Sequence, residues 1–269
     1  MAYNPINSTT THLCKSSVEN NICTITLCNP EKRNPLSLSL INELQITLNI
    51  IKNNNSIKVV IIKSTGPVFS SGHDLKEVTS PDNKKENLRI LFNNCSKMML
   101  SIMNLKQPVI ASINGLAAAA GCQLIASCDL AYASQNARFQ TPGVNIGLFC
   151  STPMVAISRT ISRKNMMSML LTGDDINANE ALNYGLINNI YKSKEELDEK
   201  VINVAKKIAS KSTQSISIGK EAFYRQLEMP ISDAYAYTSE VMTLNMEKKD
   251  AKEGINAFIE KRKPNWTKE

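Results

Sequence analysis

Phe69-Ser70-Ser71-Gly72-His73-Asp74-Leu75-Lys76 and Asn114-Gly115-Leu116-Ala117-Ala118-Ala119-Ala120-Gly121-Cys122-Gln123-Leu124 are the two stretches whose reading decides the fold. Each follows a short β-branched run that reads as a strand, and each leads into a helical pattern. Small residues at these junctions let backbone N–H groups come close to a ligand oxygen. Two such groups aimed at one point form an oxyanion hole, which stabilises an enolate or a tetrahedral intermediate.

Working outward, Asn21 to Leu27 alternates in polarity and reads as a strand, and Asn29 to Pro35 is a turn-rich loop. Leu40, Leu44, Leu48 and Ile51 recur at helical spacing, as do Leu88, Leu91, Phe92, Cys95, Met98, Met99 and Ile102. Val59 to Ile62 and Val109 to Ile113 are continuous apolar runs suited to strands buried on both faces. The Gly66–Asp74 stretch reads as a loop, Gly121 to Ala126 as a short buried helix, and Asp129 to Ala133 and Arg138-Phe139 as short strands. Strand and helix in succession argue for an α/β layer with parallel strands. After about Pro153 the pattern is helical almost throughout, with Gly173 and Gly185 placed as C-caps. The expected organisation is a disordered Asn/Ser/Thr-rich tail over 1–18, an α/β core over 19–190 and a helical region over 191–269. The methionine pairs read as gap-filling core.

With 31 Lys and Arg against 24 Asp and Glu, the 269-residue chain carries a net charge of +7. That suits a soluble protein kept off neutrality, or one with an anionic ligand. Nucleic acid is not an expected partner, since no basic stripe interleaves with aromatics. The helix ending at Ile51 is followed by the isolated Lys52 rather than a lysine-rich face, which argues against RNA. No apolar run approaches the ~20 residues of a membrane span. Seven cysteines without a C-x-x-C pair read as reduced thiols, and two histidines make a histidine-built metal site improbable. No Arg-rich presequence is visible in the first dozen residues.

Taken together, the motifs resemble the crotonase (enoyl-CoA hydratase/isomerase) superfamily. Besides the two stretches above, Asn29-Pro30 through Asn34-Pro35-Leu36-Ser37 is similar to that family's first coenzyme A loop. Phe139 to Leu148 is similar to its second active-site loop, and Leu171-Thr172-Gly173 with Ala178 to Ile187 to its "LTG…A…A…GL" stretch. Glu253-Gly254 with Ala257 to Pro264 resembles its C-terminal helix, and the likeness runs from about Ile22 to Trp266. The resemblance implies an α/β spiral of ββα units with a helical C-terminal trimerisation region, assembling as a homotrimer or hexamer. It implies a coenzyme A thioester as ligand and no covalently bound cofactor. Mitochondrial localisation follows from the resemblance alone, and a cytoplasmic location is the alternative.

Carried over by position, the resemblance puts the oxyanion donors at the backbone N–H groups of His73 and Ala120, framed by Ser71, Gly72, Asp74, Leu75 and Gly121. Lys32 is a candidate phosphate contact. The family's hydratases have glutamates where this chain has Gln123 and Gly143. Hydration needs a base for water and an acid for the α-carbon. Gln123 binds a water but takes no proton near neutral pH, and Gly143 has no side chain. Efficient hydration is therefore not expected. A neutral core hydrogen-bonder is the alternative for Gln123.

The Gly-His-Asp triplet also resembles a methylmalonyl-CoA decarboxylase branch. Decarboxylation forms the enolate without a base, and there the His73 ring is a candidate to donate or relay a proton. Against that, the branch has a tyrosine where this chain has Cys150, which reads either as a poor proton donor or as a small buried hydrophobe. Asp74 reads as a helix N-cap and Asp129 as structural. Three readings stay open: an acyl-CoA enzyme of the family with weak hydration, a malonyl-type decarboxylase, and a non-catalytic acyl-CoA binder.

Overall fold

The computed structural model describes residues 12–80 and 84–267. Strand β1 (Cys14–Glu19) pairs antiparallel with β2 (Ile22–Leu27), and helix α1 (Leu38–Lys52) follows. Three strand-strand-helix units come next. The first is β3 (Val59–Ser64), β4 (Val68–Ser70), then α2 (Leu75–Val78) and α3 (Lys85–Met103). The second is β5 (Val109–Ile113), β6 (Leu116–Ala118) and α4 (Ala120–Ala126). The third is β7 (Leu130–Ser134), β8 (Arg138–Gln140), then α5 (Pro153–Ile157) and α6 (Arg163–Thr172). Strand β9 (Asp175–Asn177), α7 (Ala178–Tyr184) and β10 (Asn189–Tyr191) lead to four final helices. These are α8 (Lys194–Ala209), α9 (Thr213–Gln226), α10 (Ile231–Met246) and α11 (Lys249–Ile259).

The first strand of each unit joins one sheet and the second joins another. Among the described residues the sheets run β1-β2-β3-β5-β7-β10 and β4-β6-β8-β9. The strands repeated from unit to unit are parallel in both. This is the expected spiral of ββα units. Each unit advances the chain by one strand in both sheets, so the turns between paired strands stack along one edge.

Burial explains the apolar runs. Val60 and Ile62 of β3 face the main core with Leu40, Leu44 and Met98. Val59 and Ile61 face a second cluster with Ile110, Leu197, Val201 and Ala205. That second face is covered by α8, so the packed core extends past residue 190 to Ala209 and the expected boundary at 190/191 falls inside it. No helix among the described residues is long and apolar enough to cross a membrane.

The expected tail over 1–18 is corrected from Cys14 onward, while residues 1–11 lie outside the described residues. Strand β1 has one buried residue, Cys14, and five exposed ones, so this edge strand shows no apolar alternation. Its signal is the Asn20-Asn21 pair, both at positive φ (51° and 64°), the conformation of a two-residue hairpin turn. Strands β4, β6, β9 and β10 are three residues each, too short for a period-2 pattern. Hence Gly66–Asp74 is not wholly loop and the region after Pro153 is not wholly helical.

Gly173 and Gly185 end α6 and α7 in the left-handed region, at φ 69° and 89°. A Cβ at Gly185 would also stand 3.3 Å from Thr160 O. Gly185→Ala is expected to cost about 1–2 kcal/mol in urea unfolding. A change below a few tenths would mean that the cap is not strained by a side chain.

Candidate active site

Three loops converge where the strand pairs turn. Asn34, fully buried at φ 49°, ties two of them together. Its Nδ2 donates to Thr65 O (2.9 Å) and Val68 O (2.8 Å), and its Oδ1 accepts the Asn29 N–H at 2.8 Å. The Ser71 N–H donates to Arg33 O (3.0 Å), and the Leu36 N–H to Gly72 O (2.7 Å). The Asn29–Ser37 loop is thereby clamped along the Ser70–His73 turn.

The third loop abuts the same turn. Gly72 stands at φ 84°, and a Cβ on it would lie 3.0 Å from Ala118 O and 3.4 Å from Ala120 N. Gly121 is packed as closely, its absent Cβ falling 2.7 Å from Ser70 O. Both glycines are needed for contact, since a methyl group at either would push the segments apart. Ala119 adopts φ 47°, ψ −112°, a conformation that costs a non-glycine residue about 1–3 kcal/mol. Its own N–H is fixed on Gln140 O at 2.9 Å. Neither the His73 N–H nor the Ala120 N–H donates to an acceptor among the described residues. The structure thus brings together the two expected donor segments.

The His73 ring is largely buried, edge-on to Phe92 (centroids 5.3 Å apart), with Nδ1 3.0 Å from Leu36 O. That carbonyl can only accept, so Nδ1 carries the proton and Nε2 a lone pair. Burial holds the ring pKa below its ordinary value, with Leu36 O and Glu77 acting weakly the other way. With Nδ1 committed to Leu36 O, the other nitrogen of the neutral ring, Nε2, is an acceptor. Asp74 caps α2 by accepting the Lys76 N–H at 3.0 Å, as expected. Leu75 and Lys32 are exposed, and Ser71 is half-buried.

Gln123 lies on α4, one turn beyond Ala120, and is 4 % exposed. Its Oε1 is buried without a hydrogen-bond partner among the described residues. Gly143 is enclosed by the loop it begins. A Cβ there would meet Cys150 Sγ and Leu148 O at 3.1 Å and Cys150 N at 3.2 Å. Cys150 is buried, and burial pushes its thiol pKa up, which suits the small hydrophobe rather than the proton donor. Cys122 is likewise pushed up by burial, to about 12, and its thiol donates to Ala117 O.

Beside Gln123 opens a groove of about 1180 Å³, walled by Met99 and Met103 of α3, Ala126 of α4, Val155 of α5 and Phe223 of α9. Asp129 anchors its far wall. Its Oδ2 accepts from Lys220 Nζ and from the Val109 N–H, both at 2.7 Å, and its Oδ1 from Tyr224 OH at 2.9 Å. Burial pushes the Lys220 pKa down and the Tyr224 pKa up. Asp129 is structural, as expected. Its side-chain partners, Lys220 and Tyr224, lie some ninety residues away in sequence, and no local pattern signals them.

Comparison with known proteins adds a family. The enoyl-CoA hydratase/isomerase family model matches residues 17–269. Human enoyl-CoA hydratase domain-containing protein 3, mitochondrial, is 50 % identical over 91 % of this chain and 80 % of its own length. The crystal structure of human enoyl Coenzyme A hydratase domain-containing protein 3 superposes with TM-score 0.92 at 47 % identity, covering 95 % of this chain and all of that one. An enoyl-CoA hydratase from Mycobacterium smegmatis gives TM-score 0.92 at 40 % identity, covering 95 % and 99 %.

Proposed function

The chain belongs to the enoyl-CoA hydratase/isomerase family, and from that premise we propose that it binds an acyl-CoA thioester with the carbonyl oxygen between the N–H groups of His73 and Ala120. The observation that carries this is the packing of Gly72 against Ala118 to Ala120, which sets two uncommitted donors on adjoining segments. Such a pair draws electron density onto the thioester oxygen and favours its enolate. Water addition is slow in this site, because neither Gln123 nor Gly143 transfers a proton. Lys32, exposed on the clamped Asn29–Ser37 loop, is our candidate contact for a phosphate of the coenzyme.

A second reading, decarboxylation of a malonyl-type thioester, is favoured by one observation. Positions 123 and 143 offer no carboxylate base, and loss of CO₂ reaches the enolate without a base. The bond to the carboxylate breaks, its electron pair is held as the enolate by the backbone donors, and the α-carbon then takes a proton from water. A binder without turnover fits the same site, and mass spectrometry of methylmalonyl-CoA incubated with the protein separates the two.

Self-association is supported by exposed apolar side chains on the last two helices, Ile231, Tyr235, Phe258 and Ile259 among them. A homotrimer or hexamer would cover them. The mitochondrial names of several relatives support that compartment for this chain.

A conjugated chromophoric acyl-CoA tests the central claim without turnover. Its absorbance is expected to shift to the red on binding, as the carbonyl is polarised. Gly72→Ala, which presses on Ala118 O and Ala119 Cβ, is expected to abolish most of the shift and to lower enolate-dependent turnover by about 10²–10³. Binding with no shift in the unaltered protein would refute the two-donor site.

A further inference from the structure

The peptide units that carry the two N–H groups, Gly72–His73 and Ala119–Ala120, are held from behind in different ways. A trans peptide sets its C=O and N–H on opposite sides of one plane, so whatever grips the carbonyl aims the N–H. Behind Ala120 the grip is helical: the Ala119 carbonyl accepts the Gln123 N–H at 3.1 Å, in the first turn of α4. Behind His73 a loop takes that part. The Gly72 carbonyl accepts the Leu36 N–H at 2.7 Å. Such a bond also polarises the peptide and strengthens its N–H as a donor.

Gly72 does not fix this peptide by itself. It stands at φ 84°, and without a side chain its backbone is the freest of any residue. Leu36 has to be held in place for its N–H to aim the peptide, and the His73 ring reaches back to it. Nδ1 donates to Leu36 O at 3.0 Å. One fully buried residue thus grips Gly72 through its N–H and the His73 ring through its C=O. That is the ring's one hydrogen bond among the described residues, since Nε2 is shut off from solvent without a partner. Phe92, edge-on to the ring, limits its rotation.

Resting on the two-donor thioester reading above, we infer that the His73 side chain is a positioning residue for its own backbone donor. Its Nδ1–H, acting through Leu36, keeps the Gly72–His73 peptide turned so that the His73 N–H meets the thioester oxygen. The role demands a donor where Nδ1 stands and no proton exchange by the ring.

Two substitutions separate the bond from the ring. His73→Asn places an amide N–H where Nδ1 stands and removes the rest of the ring. His73→Leu keeps an apolar side chain against Phe92 and removes the donor. Each full-length variant is titrated with an aryl-conjugated enoyl-CoA, and the red shift of its absorbance is read at saturation, with no turnover needed. His73→Leu is expected to lose more than half of the shift and to bind about two- to tenfold more weakly, the worth of one hydrogen bond. His73→Asn is expected to restore most of the shift. A full shift in His73→Leu overturns the inference. So does an equal loss in both variants, which proton exchange by the ring would produce, or a greater loss in His73→Asn, which ring packing alone would produce. No shift in the unaltered protein refutes the two-donor reading itself, and the inference falls with it.

Discussion

Asp129→Ala is expected to lower the unfolding free energy by about 3–5 kcal/mol. The carboxylate closes a largely buried cluster, with Lys220 and Asp129 side chains 8 % and 17 % exposed. Its loss removes an acceptor from three donors: Lys220 Nζ, Tyr224 OH and the Val109 N–H. Lys220 keeps two carbonyl partners, Ile102 O at 3.3 Å and Gln107 O at 3.0 Å, but loses its counter-charge. Burial already depresses its pKa, so without Asp129 the ammonium shifts further toward the neutral amine, which bounds the cost. The cluster also ties α9 to the start of β5, so the damage reaches the groove wall at Phe223. Urea unfolding of Asp129→Ala and of Asp129→Leu with Lys220→Met checks this. The double variant is expected to lose less than the single one, because no buried charge remains unpaired. A loss under about 1 kcal/mol for Asp129→Ala would show the pair to be no more than a surface-type bridge.

Installing the family's second glutamate is expected to fail. Gly143→Glu, alone or with Gln123→Glu, should leave crotonyl-CoA hydration within about tenfold of the unaltered protein. General acid–base groups are otherwise worth roughly 10²–10⁴ each. The obstacle is steric. Two of the three atoms that a Cβ would meet belong to the backbone, Leu148 O and Cys150 N, and the Leu148 N–H donates to Gly143 O at 2.9 Å. Replacing Cys150 by alanine removes only Sγ. Overpacking of this kind costs about 1–3 kcal/mol, so a lowered melting temperature should accompany the missing activity. A hundredfold gain in hydration would show instead that the loop opens readily.

The sequence reading and the structure part company in informative places. Strands buried on both faces, such as β3, announced themselves as unbroken apolar runs. The exposed edge strand β1 and the three-residue strands of the second sheet did not, because periodicity needs both length and a buried face. At the site, the glycine-marked turns were legible because small residues are required wherever two backbones touch. The surroundings of the His73 ring were not legible, since its packing against Phe92 and its bond to Leu36 O depend on groups 19 and 37 residues away.

By itself, then, the chain's order of residues determined a parallel α/β layer with a helical tail, the glycines that bring Gly72 to Ala120, and the absence of carboxylates at 123 and 143. Those features are local, written in side-chain size, branching and charge. Only the tertiary structure decided that Gly143 is walled in by Cys150, that Asp129 is claimed by Lys220 and Tyr224, and that the Gln123 carbonyl oxygen has no donor among the described residues. Each of those depends on which distant groups share a buried space, where leaving water makes partnership or its lack costly.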